Sequence, residues 1–89
     1  MPRVVITHGV VDIERWLEGK SERAEAIEAG SGSNVIDYVA ADGGTNIAIT
    51  ADVSDVATMQ ALLVSPPAEV LAKMEEHGVV QPITVYVEA

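Results

Sequence analysis

The sequence predicts an α+β fold of order β-α-β-β-α-β, the ferredoxin-like arrangement of a four-stranded antiparallel sheet with helices on one face. Three observations carry that prediction. Short β-branched segments alternate with longer segments in which apolar residues recur every three or four positions. Asp42-Gly43-Gly44 reads as a hairpin turn, because aspartate and glycine accept the positive φ angles of tight turns. The third is a weak internal repeat. Shifted by 43 residues, Val4–Trp16 falls on Ile47–Met59. Ile6 then meets Ile49, Thr7 meets Thr50, Val10 meets Val53, Asp12 meets Asp55, Ile13 meets Val56 and Trp16 meets Met59. Two such βαβ units form a split arrangement. Chance likeness between two strand–helix units is the competing explanation.

Taken in order, Val4 to Val10 is β-branched and too short for a helix, so it reads as a strand. Asp12 caps a helix whose stripe is Ile13, Trp16, Leu17, Ala24 and Ile27. Gly19 lies inside it and should weaken it by about 1 kcal/mol relative to alanine. Gly30 ends it, and Ser31-Gly32-Ser33 forms the connection. Asn34 to Ala41 and Thr45 to Ala51 are the hairpin strands. Ser54 or Asp55 caps a second helix with the stripe Val56, Met59, Leu62 and Leu63. Ser65-Pro66-Pro67 interrupts it, and Ser65 as cap with Pro66 in the first turn restarts it through Val70, Leu71 and Met74. Gly78 stops the helix, and Ile83 to Val87 is the last strand.

Composition narrows the function classes. The chain has 89 residues, enough for one domain spanning 1–89. A domain of this size buries only about 60–65 % of its unfolded surface, so a second copy would help to complete its core. Its net charge of −9 argues against nucleic acid and against anionic membrane surfaces as partners. There is no cysteine, hence no disulfide framework and no thiolate site. The apolar run Val4-Val5-Ile6 is too short for a signal sequence, and nothing approaches a membrane span. A cytoplasmic chain is expected.

Strand alternation divides the sheet residues into two sets. Val4, Ile6, Ile47, Ile49, Ile83, Val85 and Val87 are assigned to the helix side. Val5, Thr7, Ala48, Thr50, Thr84 and Tyr86 make a mixed second face that needs a cover. The economical cover is the same face of a second copy, giving a homodimeric barrel with a cavity between the sheets.

Two segments carry a resemblance. The opening one is His8-Gly9-Val10-Val11-Asp12-Ile13-Glu14-Arg15-Trp16. The closing half is Leu63-Val64-Ser65-Pro66, Glu76-His77-Gly78-Val79-Val80 and the final Val-Tyr-Val strand. Together they resemble small dimeric α/β-barrel proteins, the antibiotic-biosynthesis-monooxygenase-like group and its uncharacterised stress-response-type relatives. The resemblance spans nearly the whole chain and rests mainly on structural positions. It implies a dimer, and a range of activities that includes cofactor-free oxygenation, isomerisation, haem degradation and none. Haem-degrading members carry a first-strand Asn, a cavity Trp and a His on the second helix. Here His77 matches the last, but the first strand lacks Asn and Trp16 lies on a core stripe. Neither haem nor any other cofactor is expected.

His8, at the end of the first strand, is the candidate acid/base, since imidazole titrates near neutrality. Its parity with Ile6 points it toward the helices, and only a bulge near Gly9 would reverse that. Packing at the strand end is the competing role. Tyr38, Asn46, Thr50 and Tyr86 are the candidate ligand-binding residues, with interface burial of the phenols and ordinary strand or turn chemistry as the simpler readings. Asp37 is either a buried general base or a solvated strand residue. Trp16 is expected in the core and His77 at a helix C-terminus, where the dipole favours a cation. Glu14, Glu18, Glu22 and Glu25 read as a solvated ridge rather than a metal site. No phosphate-binding loop or zinc spacing is present in the sequence. The expected function is a small barrel binding an apolar or aromatic molecule, as a cofactor-independent oxygenase or isomerase. The alternative is a non-catalytic structural, regulatory or ligand-sensing dimer.

Overall fold

The computed structural model describes residues 2–30 and 32–89. Its order is β1 (Arg3–Val10), α1 (Ile13–Glu18), α2 (Lys20–Ala29), β2 (Gly32–Val39), β3 (Asn46–Val53), α3 (Val56–Val64), α4 (Ala68–Glu76) and β4 (Val79–Val87). The four strands form one antiparallel sheet in the order β2-β3-β1-β4. This is the predicted ferredoxin-like fold with each expected helix split in two.

The first split falls at Gly19, whose φ of −86° and ψ of 6° leave the helical ψ; a Cβ there would come 2.4 Å from the His77 ring, which explains the glycine. The expectation of one weakened helix through Gly19 is therefore corrected to two helices meeting at it. The second split falls at Ser65-Pro66-Pro67, as predicted, but Ser65 closes α3 and Pro67 precedes α4 without a side-chain cap bond. Proline fixes φ and lacks the N–H that a continuing helix needs. The aspartate caps are as predicted. Asp12 accepts from the Glu14 amide, and Asp55 accepts from the Thr58 amide and hydroxyl. The hairpin turn closes through Gly43, at φ 81°, and through the Gly44 amide donating to Asp42.

Several strand boundaries move: β2 ends at Val39 rather than Ala41, and β3 runs from Asn46 to Val53 rather than from Thr45 to Ala51. Gly32 and Ser33 already belong to β2, while Ser31 lies outside the described residues. β4 starts at Val79 rather than Ile83. Its pairing with β1 shifts between Thr7 and Gly9, where the extra β4 residues include Pro82. A proline is tolerated there because β4 is an edge strand and the ladder is already interrupted.

The core lies between the sheet and the helices. Val4, Ile6, Val10, Trp16, Ile47, Ile49, Ala51, Val53 and Met59 are buried. Leu17, Leu71 and Val87, expected in the core, are substantially exposed. Leu17 follows the fully buried Trp16 on a helix of six residues, too short to bury both faces. The repeat has a spatial counterpart. Ile6 and Ile49 are repeat mates and also register partners, so the pseudo-two-fold axis relating the halves passes between them. Asp12 and Asp55 both cap, Val10 and Val53 are both buried, and Trp16 and Met59 occupy matched core sites.

Candidate functional site

Helices cover one sheet face, and a cavity of about 620 Å³ remains between them and the sheet. Its walls are mainly apolar, with Ile27, Met59, Leu62, Leu63, Met74 and Ile83 among them. His8 and Arg23 supply polar groups inside, and Glu22, Glu25, Glu69 and Lys73 stand around its exposed rim. Apolar walls with a few convergent polar groups are the usual build of a small-molecule site.

Strand register explains the polar end. Asp37 pairs with Ile49, and Ile49 pairs with Ile6, so the carboxylate stands in an apolar row facing the helices. The Asp37 side chain is only 4 % exposed, which rejects the solvated reading. A buried carboxylate needs a partner, and α2 provides it. Arg23, 12 % exposed, reaches Asp37 Oδ2 with Nη2 at 3.1 Å. Its Nη1 donates to the Trp16 carbonyl at 2.8 Å, and the guanidinium lies 4.0 Å from the centre of the Trp16 ring. His8 meets the same indole edge-on, with ring centroids 6.3 Å apart and planes at 83°. Three buried polar atoms of this cluster, Trp16 Nε1, Arg23 Nε and Asp37 Oδ1, have no protein hydrogen-bond partner among the described residues.

His8 faces the helices, as its parity required, even though the β1–β4 register does shift beside it. Its Nδ1 lies 2.8 Å from the Gly9 carbonyl. A carbonyl only accepts, so Nδ1 carries the proton, and neutral His8 keeps a bare lone pair on Nε2. Burial lowers its pKa from the ordinary 6.5, and the Arg23 charge adds to this against the opposing Gly9 bond. Both effects favour the neutral, basic form of the ring.

Tyr38, Asn46, Thr50 and Tyr86 come together on the other face of the sheet. One cross-strand row there is Ile36, Thr50, Val5 and Tyr86, and the next is Tyr38, Ala48, Thr7 and Thr84. A shallow depression of about 580 Å³ on this face includes Tyr38, Asn46, Thr7 and Gln81. Thr50 and Tyr86 lie farther along, outside it. The depression also borders His8 at the strand end, while the His8 ring itself packs against Trp16 on the helix side.

His77 ends α4, as expected, but it is buried against Gly19 and lies 3.5 Å from Glu22. Glu22 also pairs with Lys73 at 3.1 Å, so this member of the acidic ridge ties α2 to α4 across the cavity rim. The Lys73 hydrogen bond and charge hold the Glu22 carboxyl below its usual range. Arg23 was not legible as a functional residue, though one signal was present. A carboxylate on an apolar strand row demands a cation, and this chain has only five lysines and arginines. Among the described residues no helix is long and apolar enough to cross a membrane, and no group of acidic and histidine side chains could hold a metal ion.

No protein-family model and no curated protein matches the sequence. Solved structures do match the fold. A Bordetella bronchiseptica protein named for the antibiotic biosynthesis monooxygenases is similar over 99 % of this chain and 94 % of its own, with a TM-score of 0.71 at 10 % identity. Protein Atu4242 from Agrobacterium tumefaciens is similar over 100 % of this chain and 92 % of its own, with a TM-score of 0.65 at 11 % identity. A Nitrosomonas europaea protein, again named for the monooxygenases, covers 99 % of this chain with 88 % of its own, with a TM-score of 0.64 at 13 % identity. The chain has the ferredoxin-like fold of the antibiotic biosynthesis monooxygenase-like proteins.

Proposed function

We propose that this protein binds a small, mainly apolar or aromatic molecule in the cavity between helices and sheet, with His8 as the acid/base group of a cofactor-independent oxygenation or isomerisation. One observation carries the reading. An apolar cavity ends at a neutral imidazole whose Nδ1 is already committed to Gly9, leaving Nε2 to accept a proton from a bound molecule. The monooxygenase-like neighbours support the class of reaction by fold alone. The exposed apolar side chains Ile36, Tyr38 and Tyr86 support a homodimer through the open sheet face. In that dimer Tyr38, Asn46, Thr50 and Tyr86 would line the space between the sheets, apart from the helix-side cavity.

Trp16 is the sole tryptophan and touches both His8 and Arg23, so its fluorescence reports on the site. Titration with 1-naphthol should quench it saturably, and Leu63→Trp or Met74→Trp, which fill the cavity, should abolish saturable binding of naphthol detected by calorimetry. No saturable binding by the wild-type chain at millimolar probe would defeat the reading. Once a turned-over substrate is found, His8→Ala should abolish turnover and leave the oligomeric state unchanged. Unaltered turnover would remove His8 from the mechanism.

A further inference from the structure

We propose that Arg23 is a positioning residue for His8, acting through the Trp16 ring and anchored by Asp37. The guanidinium is fixed from three sides, by the Asp37 carboxylate, the Trp16 carbonyl and the indole face. The indole is in turn held between Arg23 on its face and His8 at its edge. Cation–π contact and edge-to-face packing each favour that arrangement, so the indole cannot tilt without losing one of them. His8 is left with one orientation, bounded by Trp16 and by its bond to Gly9.

Stability alone does not account for this cluster. A buried ion pair is commonly no better for stability than apolar side chains of similar volume. Among the described residues, the Arg23 Nε–H, one Asp37 oxygen and the indole N–H take no further protein partner, so the cluster is held by the Arg23 contacts to Asp37 and Trp16. The permanent charge of Arg23 opposes a second cation nearby, which favours the basic form of His8. The other charged or titratable groups around the cavity are Glu22 and Glu25 on α2 and Glu69, Lys73 and His77 next to or on α4. From α3 come only Met59, Leu62 and Leu63, and from β2 comes Asp37 behind Arg23.

The inference rests on His8 being the working group of the cavity, but its test needs no ligand. His8 is followed by NMR titration in the intact wild-type chain and in two variants, Arg23→Lys and the double variant Arg23→Gln/Asp37→Asn. The double variant removes both buried charges together, so neither is left unpaired. It should titrate His8 at higher pH than the wild type and shrink the ring-current shift that Trp16 imposes on the His8 protons. Arg23→Lys should keep the lowered midpoint while reducing the ring-current shift, because a lysine retains the charge without the planar fork. A folded double variant with wild-type midpoint and ring-current shift overturns the proposal. Should that variant not fold, an unchanged His8 spectrum in Arg23→Lys overturns it instead. Failure to bind 1-naphthol would count against the proposed function and leave these titrations intact.

Discussion

The two repeat halves share a scaffold and divide the chemistry between them. In the first, α2 brings Arg23 over Trp16, and β1 brings His8 to the same indole. In the second, the position matching Trp16 is Met59, and α3 adds Leu62 and Leu63 to the cavity wall. The matched caps and strands set the frame, while the residues beyond the first helical turn decide what each half contributes. Even the helix breaks differ in kind. One falls at two consecutive prolines, the other at a glycine beside which a histidine from 58 positions away leaves no room for a Cβ. A duplicated fold can therefore place a polar floor against an apolar wall without any change of topology.

The sharpest way to break that comparison is to empty the matched core sites. Trp16→Ala should destabilise the fold by about 3–5 kcal/mol and Met59→Ala by about 2–5 kcal/mol, read by urea denaturation. The tryptophan change should be the larger, since it also strips Arg23 of the ring it rests on. Equal losses would mean that the polar cluster adds nothing to the first half. A smaller effect is expected at the breaks. Gly19→Ala must displace the His77 ring and should cost about 1–3 kcal/mol. Ser65→Ala, on the exposed break of the other half, should stay within about 0.5 kcal/mol. If the two changes cost the same, the His77 ring does not require a glycine at position 19.

The smallest expected effect concerns pH. The folded pKa of His8 lies below its ordinary 6.5, so between those values the unfolded chain holds more protons than the folded one. Stability from this group is complete above 6.5 and is lost as pH falls through that window. His8→Phe should remove that part of the acid sensitivity. A wild-type stability curve no steeper than the variant's across this range would show that His8 is not held neutral by the fold.

Much of the frame was legible because it depends on local chemistry. Asp12, Asp55, the Asp42-Gly43-Gly44 turn and the alternation of Val4, Ile6, Ile47 and Ile49 act within a few residues of themselves. The paired prolines marked their break for the same reason. The helix side of His8 followed from parity alone. What could not be read were meetings between distant residues. Asp37 reads from the sequence more readily as a solvated strand residue, because the partner that buries it, Arg23, lies 14 positions away on another element. Gly19 looked like a weak helical residue until His77 was found filling the space beside it.

The sequence by itself determined the order of elements, the hairpin, the caps and the sorting of strand residues onto two faces, because period and turn chemistry are local. Only the tertiary structure decided where the helix-side cavity lies and what forms its floor. Stacking of Arg23 on Trp16, its pairing with Asp37 and the approach of His8 depend on how two layers pack, and no short-range pattern encodes that distance.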